Sequence, residues 1–304
     1  MKRIFLLWFL TAAVLTAGNI RVLQDRKLTD LSQGKFFFPK FSPAGEAVFF
    51  TSENYNGLWK LSLESESLEQ ISSKPGIGYK FQFTADGNKL IYRTTNFKNK
   101  RKFHSLFEYD LINKKENVLE ESVRNLSPPQ INMDGNVFYI AQGVMKTASA
   151  KLLKTNNQSV SVFIEDRNLF LSINGERKKL NPLGKGIYLW PSLSPAGDKI
   201  LFTAGGKGTF ICDLNGNILV ELGYANYPKW SPDGKWILFM KDKDDGYNYT
   251  ASDLYVKSED GKTEVQLTDT ANEIEMYGEW SPDGTEIVYH TNNGEIRLIK
   301  LQYN

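Results

Sequence analysis

Six short blocks of one design recur along the chain, and no other feature narrows its fold so far. Each consists of an apolar residue, a Ser-Pro-Asp-Gly-like turn and a β-rich run. They begin at Phe41 (FSPAG), Phe83 (FTADG), Ile131 (INMDG), Leu193 (LSPAG), Trp230 (WSPDG) and Trp280 (WSPDG). Repeats of this length mark folds built from one supersecondary unit that cannot bury its apolar faces alone. Gly45, Gly87, Gly135, Gly197, Gly234 and Gly284 close the turns, where the backbone must reach positive φ without a Cβ clash. Asp86, Asp134, Asp233 and Asp283 precede four of these glycines. They read as turn formers that bond back to their own loop rather than as catalytic carboxylates.

A second strand follows each turn, as in Val48 to Phe50 or Trp236 to Phe239, then a third, as in Leu58 to Leu61 or Leu254 to Val256. Five copies add a fourth, such as Leu68 to Ile71 or Val265 to Leu267. The expected fold is all-β, a six-bladed β-propeller of four-stranded antiparallel blades. The last copy stops after its third strand, and the N-terminus supplies the missing one. Arg26-Lys27-Leu28-Thr29-Asp30 matches Val265-Gln266-Leu267-Thr268-Asp269, and Leu28 and Leu267 each stand 13 residues before a turn block. The ring is therefore expected to close by the N-terminal strand joining the last blade, which leaves no open sheet edge there.

Successive blocks lie 42, 48, 62, 37 and 50 residues apart, close to the 40–50 of a propeller blade. The 62-residue step is the exception. With six turn blocks to count, residues 143–158 read as a loop inserted in a third blade whose outer strands are Leu169 to Leu171 and Lys179 to Leu180. The alternative divides that stretch between two short blades and gives seven.

The 304 residues, 41% apolar and 13% aromatic, suffice for a large core. The division expected is a signal peptide over 1–18 and the propeller over 19–304. Lys2 and Arg3, the apolar run from Ile4 to Ala17, and small residues at Thr16, Ala17 and Gly18 have the layout of a cleaved secretory signal. The run is short for a membrane span, and with no cysteine near the expected cut a lipoprotein is not indicated. The expected location is periplasmic or secreted, with no membrane span once the signal is removed. The single cysteine, Cys212, lies in the apolar run Thr209 to Cys212 and reads as a buried thiol. Lys and Arg number 37 against 35 Asp and Glu. That balance lacks the concentrated basic face on which phosphate binding depends, so a nucleic-acid partner is not expected.

The block WSPDG, an Ile-x-Phe-like strand, an Asp-Leu-Tyr-like strand and a Gln-Leu-Thr strand together are similar to the repeat of TolB-type propellers. The copy at Trp230 carries it best, through Ile237 to Phe239, Asp253-Leu254-Tyr255-Val256 and Gln266-Leu267-Thr268. The Trp-Asp and Gly-His signatures of WD repeats are missing. The resemblance extends over 26–304 and implies a propeller in the bacterial envelope used as a docking surface. The repeats leave no residues for the α/β domain that precedes the propeller in TolB, and no Gly-x-Ser-x-Gly elbow of a serine hydrolase is present.

Ligands of propellers engage the channel mouth, so the residues just before each block are the candidate site. Lys40, Gln82, Gln130, Ser192, Lys229 and Glu279 are all polar; two positions earlier stand Phe38, Lys80, Pro128, Trp190, Tyr227 and Tyr277. Period-two alternation would put both sets on one strand face, giving a polar lining beneath an aromatic rim suited to a peptide side chain or a sugar. His104 and His290, the only histidines, fall in different blades, and no zinc spacing is present. The acidic loop Asp242, Asp244, Asp245 lacks EF-hand spacing and reads as a solvated loop. The basic run Lys98, Lys100, Arg101, Lys102 reads the same way, or as a site for an anionic polymer or lipid head group. The expected function is a non-enzymatic, monomeric binding scaffold of the envelope for a protein or peptide, without metal or cofactor. The alternative is a carbohydrate-binding or lyase-like propeller.

Overall fold

The computed structural model describes residues 20–132, 135–148 and 159–303. The signal-like segment 1–18, Asp134 and most of the supposed loop 143–158 lie outside them.

The chain forms seven antiparallel sheets in sequence. Six are meanders in chain order, as in blade one: Phe36–Phe41, Ala47–Ser52, Leu58–Ser62 and Leu68–Ser72; the seventh adds the chain's first strand to its last three. Seven buried apolar clusters, one at each interface, join neighbouring blades. Phe49 and Leu58 of blade one meet Phe83 and Tyr92 of blade two, and so on round to Val288, Ile296 and Leu298 of blade seven against Phe36 and Val48 of blade one. The last cluster closes the ring, so the fold is a β-propeller.

Seven blades correct the expected six. The 62-residue interval holds two sheets. Gln130–Ile131, Val137–Ala141 and Val144–Thr147 form blade three, and Val160–Glu165, Asn168–Ile173 and Glu176–Lys179 form blade four. Leu169 to Leu171 thus belongs to a blade of its own, and part of the supposed loop is a strand. Blade four contains no turn block, which is why counting blocks missed it. Among the described residues these two sheets have three strands and the other five have four.

The turn blocks behave as their residue types require. The six glycines have φ between 70° and 77°. In WSPDG the Ser231 hydroxyl donates to Asp233 Oδ1 at 2.6 Å and accepts from the Trp236 N–H at 2.9 Å, while Asp233 also accepts from the Lys235 N–H. Ser281 and Asp283 repeat the pattern; the hydroxyl bond holds the Asp283 carboxyl below its usual range. Asp86, Asp233 and Asp283 are turn formers. The blocks also interlock: a Cβ on Gly45 would lie 3.5 Å from Pro282 of the preceding blade, and one on Gly87 3.5 Å from Pro43.

Ile20–Lys27 pairs antiparallel with Ile296–Tyr303 as the outermost strand of blade seven. The sequence match behind that expectation holds atom for atom. The Leu28 N–H donates to the Ile296 carbonyl at 2.8 Å, and the Ile296 N–H to Thr29 Oγ1 at 2.9 Å. In blade six the Leu267 N–H donates to Leu254 O at 2.8 Å and the Leu254 N–H to Thr268 Oγ1 at 2.9 Å. Among the described residues, no helix is long and apolar enough to cross a membrane.

Candidate functional site at the channel mouth

In the six blades that carry a turn block, the first strand of the hairpin leads into the block. That strand ends its sheet, so one of its edges is unpaired.

Phe38, Lys80, Trp190, Tyr227 and Tyr277 all have left-handed backbones, with φ of 54°, 52°, 49°, 51° and 56°. Aromatic residues seldom accept this conformation. Pro128, the sixth equivalent, cannot, because its ring fixes φ. At four of these sites the ladder carries a bulge, as where Phe37 faces Thr51 and Lys40 faces Phe49. Three residues on one strand span two on the other. The extra residue re-aims the aromatic side chain, so the alternation argument, which put Phe38 and Lys40 on one face, is wrong in mechanism. The missed signal is the proline after three of the aromatics, at Pro39, Pro191 and Pro228, since proline within a sheet is confined to edges and bulges.

The bulges bring the aromatics into one arc. Ring centroids lie 6.1 Å apart for Trp190 and Tyr227, 4.9 Å for Tyr227 and Tyr277, and 4.8 Å for Tyr277 and Phe38. Two residues beyond the predicted set extend it. Tyr55, from the loop between the second and third strands of blade one, stacks on Phe38 at 4.8 Å and meets Tyr79 edge-on at 4.9 Å. The predicted rim residue Lys80 lies over the Tyr79 ring, with its ammonium 5.6 Å from the centroid. His290 is buried behind the arc, stacked on Tyr277 at 5.4 Å and edge-on to Phe38 at 5.1 Å. Nothing in its sequence position marked it for this place.

Below the arc, Lys40 donates to Gln82 Oε1 at 2.6 Å. Lys229 pairs with Glu279 at 2.8 Å and lies over the Tyr227 ring at 4.6 Å, and the Tyr227 hydroxyl donates to Glu279 at 3.3 Å. Gln82, Gln130 and Ser192 line a shared cavity of about 380 Å³. Most of these side chains are half-buried. Burial pulls the Lys40 ammonium down to about 8, with Glu279 opposing and Lys229 reinforcing the shift. Burial would lower Lys229 too, but Glu279 and the Tyr227 hydroxyl outweigh it and hold that ammonium above its ordinary range. Burial pushes the Tyr227 hydroxyl up to about 12.

The other candidates are occupied structurally. Asp242 accepts from Asn226 and from the Tyr224 hydroxyl, and Asp244 and Asp245 cap backbone N–H groups of their own turn. His104 Nδ1 shares a hydrogen bond with Thr95. Among the described residues, no three His, Cys, Asp or Glu side chains gather as a metal site would need. Cys212 is buried, its thiol pushed up to about 12 by burial.

Fold and site together define a β-propeller with an arc of aromatic rings beside a cluster of polar and charged side chains. Its structural neighbours are TolB-type and WD40-type propellers. It is similar to TolB from Acinetobacter baumannii, at 18% identity and a TM-score of 0.50 over 77% of this chain and 54% of that one. The chain thus spans about half the length of that relative. It is similar to an oligogalacturonate lyase in complex with manganese, at 16% identity and a TM-score of 0.52, over 90% and 79% of the two chains. It is also similar to the β-propeller domain of Myceliophteria thermophila Cps50 (Swd1), at 12% identity and a TM-score of 0.57, over 93% and 99%. No family model and no curated protein matches the sequence. At these identities the likeness concerns the fold.

Proposed function

We propose that this chain is an exported, non-enzymatic binding propeller of the bacterial envelope that holds a peptide segment of another protein at its channel mouth. One observation carries the choice of a peptide: two rings of the arc, Phe38 and Tyr277, each have a face covered by a neighbouring ring. Tyr55 covers Phe38 at an interplanar angle of 22°, and His290 covers Tyr277 at 17°. Sugars dock on open ring faces. Those two faces are closed, and the ammonium and amide groups beside the arc suit an inserted side chain or chain end. Export rests on the signal-like segment 1–18. The lyase-like alternative has the fold likeness behind it but no donor cluster among the described residues.

The test is to pan a displayed random-peptide library on the wild-type chain and on a Trp190→Ala/Tyr227→Ala variant with an unchanged melting profile. Peptides retained by the wild type and lost by the variant would support the reading. Equal recovery from both would remove the channel mouth as the site.

A further inference from the structure

Beside the aromatic arc stand Lys40, Lys80 and Lys229, with the Arg93 guanidinium 5.4 Å from the same Tyr79 ring that lies under Lys80. Among the described residues the one carboxylate in contact with any of these four cations is Glu279, paired with Lys229. Among the described residues neither Lys40 nor Lys80 has a carboxylate partner; their contacts are the Gln82 amide oxygen and the rings of Phe81 and Tyr79. Arg93 donates to the Leu126 carbonyl at 2.5 Å, and its buried Nε has no acceptor. Lys229 adds repulsion at both Lys40 and Lys80, and Arg93 adds it at Lys80. Several other partly buried lysines have acidic partners, as Lys89 has Glu108 and Lys257 has Glu264. Crowding like charges without counter-charge is costly, and low-dielectric walls focus their field on an incoming anion.

We infer that the channel mouth contains an anion subsite in which Lys40 and Lys80, reinforced by Lys229 and Arg93, bind a carboxylate of the inserted peptide. This rests on the peptide reading above and adds the chemistry of what is inserted. Lysine ammoniums act as compact point charges and suit a carboxylate without the planar fork that arginine supplies. The carboxylate is either an Asp or Glu side chain or the chain terminus, and both present the same group.

The experiment uses the intact chain and a combinatorial set of synthetic hexapeptides, each made in three forms. One form carries Glu within the chain and an amidated end, one carries Gln with an amidated end, and one carries Gln with a free carboxyl end. Fluorescence anisotropy is read at low and high salt. The expected result is that an acidic form binds about tenfold tighter than its neutral isostere, roughly the worth of one charge-assisted hydrogen bond. That preference should shrink with salt and fall toward unity in Lys40→Gln/Lys80→Gln. Preference for the first form assigns a side chain, and preference for the third assigns the chain end. Equal binding of all three forms by the wild type would overturn the anion subsite and leave the peptide reading standing, whatever the variant does. Retention of trigalacturonic acid with no peptide bound would overturn both.

Discussion

Phe38, Trp190, Tyr227 and Tyr277 hold left-handed backbones at a cost of roughly 1–3 kcal/mol each, and that strain is the residue-scale signature of this site. It is repaid by the packing of the arc, so rim and lining rise together from one device, a bulge that turns each aromatic toward its neighbour. The polarity of the six lining positions could be read directly from the sequence. The bulge could not, because alternation assumes a regular ladder and only Pro39, Pro191 and Pro228 hinted otherwise. At Lys40, whose ammonium burial lowers to about 8, the groups that matter are Glu279 and Lys229. In a reductively ¹³C-methylated sample the Lys40 resonance should titrate near pH 8. Glu279→Gln should lower that midpoint further, by removing the attraction that favours the charged form. Binding of an acidic peptide should weaken as pH rises through the same value. A Lys40 midpoint in the ordinary lysine range would show the ammonium to be fully hydrated and the subsite weaker than its geometry implies.

Two buried titratable groups on the inner hairpin of blade seven oppose each other. Glu275, on Glu275–Trp280, is wholly buried; it accepts from the Thr270 hydroxyl through Oε1, leaves Oε2 without a partner, and is pushed up to about 7 by burial. His290, on Glu286–Thr291, is equally buried, donates through Nδ1 to the Thr291 carbonyl at 3.0 Å, and is pushed down to about 4 by burial. The unfolded histidine takes up its proton near 6.5 and the folded one only near 4, so its contribution to stability is lost as pH falls through that window. Glu275 behaves in the opposite sense: the folded form keeps a proton that the unfolded form releases near 4.5, so its contribution is lost as pH rises toward 7. Each shift is worth on the order of 3 kcal/mol, and the slopes nearly cancel. Relative to wild type, Glu275→Gln should gain stability from pH 5 to pH 8, and His290→Phe should gain it from pH 7 to pH 4.5, both followed by urea midpoints. A pH-independent difference for either variant would place that group in contact with water. Neither group was legible as special in the sequence, because burial at the end of a hairpin depends on the neighbouring blade. The turn aspartates were legible, because their partners lie within their own block.

At the scale of the whole ring, the sequence revealed the repeat and its closure but miscounted the units. A blade is defined by the apolar faces it shares with its neighbours, and blade four shares them without a turn block. Val162, Leu169 and Leu171 pack against Tyr188, Ile200 and Phe202 of blade five, and Phe163 packs against Phe138 and Ile140 of blade three. A ring also has no spare interface, so whatever closes it supports every blade. Here the closing strand is Ile20–Lys27. Ile20 joins the cluster between blades six and seven, Leu28 packs against the one between seven and one, and Asp25 accepts from Tyr289 at 2.7 Å and Arg297 at 3.2 Å. Burial of Ile20 alone is worth roughly 1.5–3 kcal/mol, and the partly buried Leu28 adds to it, a large share of the total of about 5–15 kcal/mol that holds a domain folded. Deleting residues 19–30 should therefore lower the melting temperature by about 10 °C. It should also expose the unpaired edge of Ile296–Tyr303, producing concentration-dependent aggregation. Thr29→Val tests the latch without removing the strand. It strips the hydroxyl that accepts from the Ile296 N–H and should cost about 1–3 kcal/mol, as should Thr268→Val at the equivalent bond in blade six. If the truncated chain melts with the full one and stays monodisperse, ring closure does not depend on the N-terminal strand. If Thr29→Val is silent while Thr268→Val is not, the last blade is held by its partners rather than by the latch.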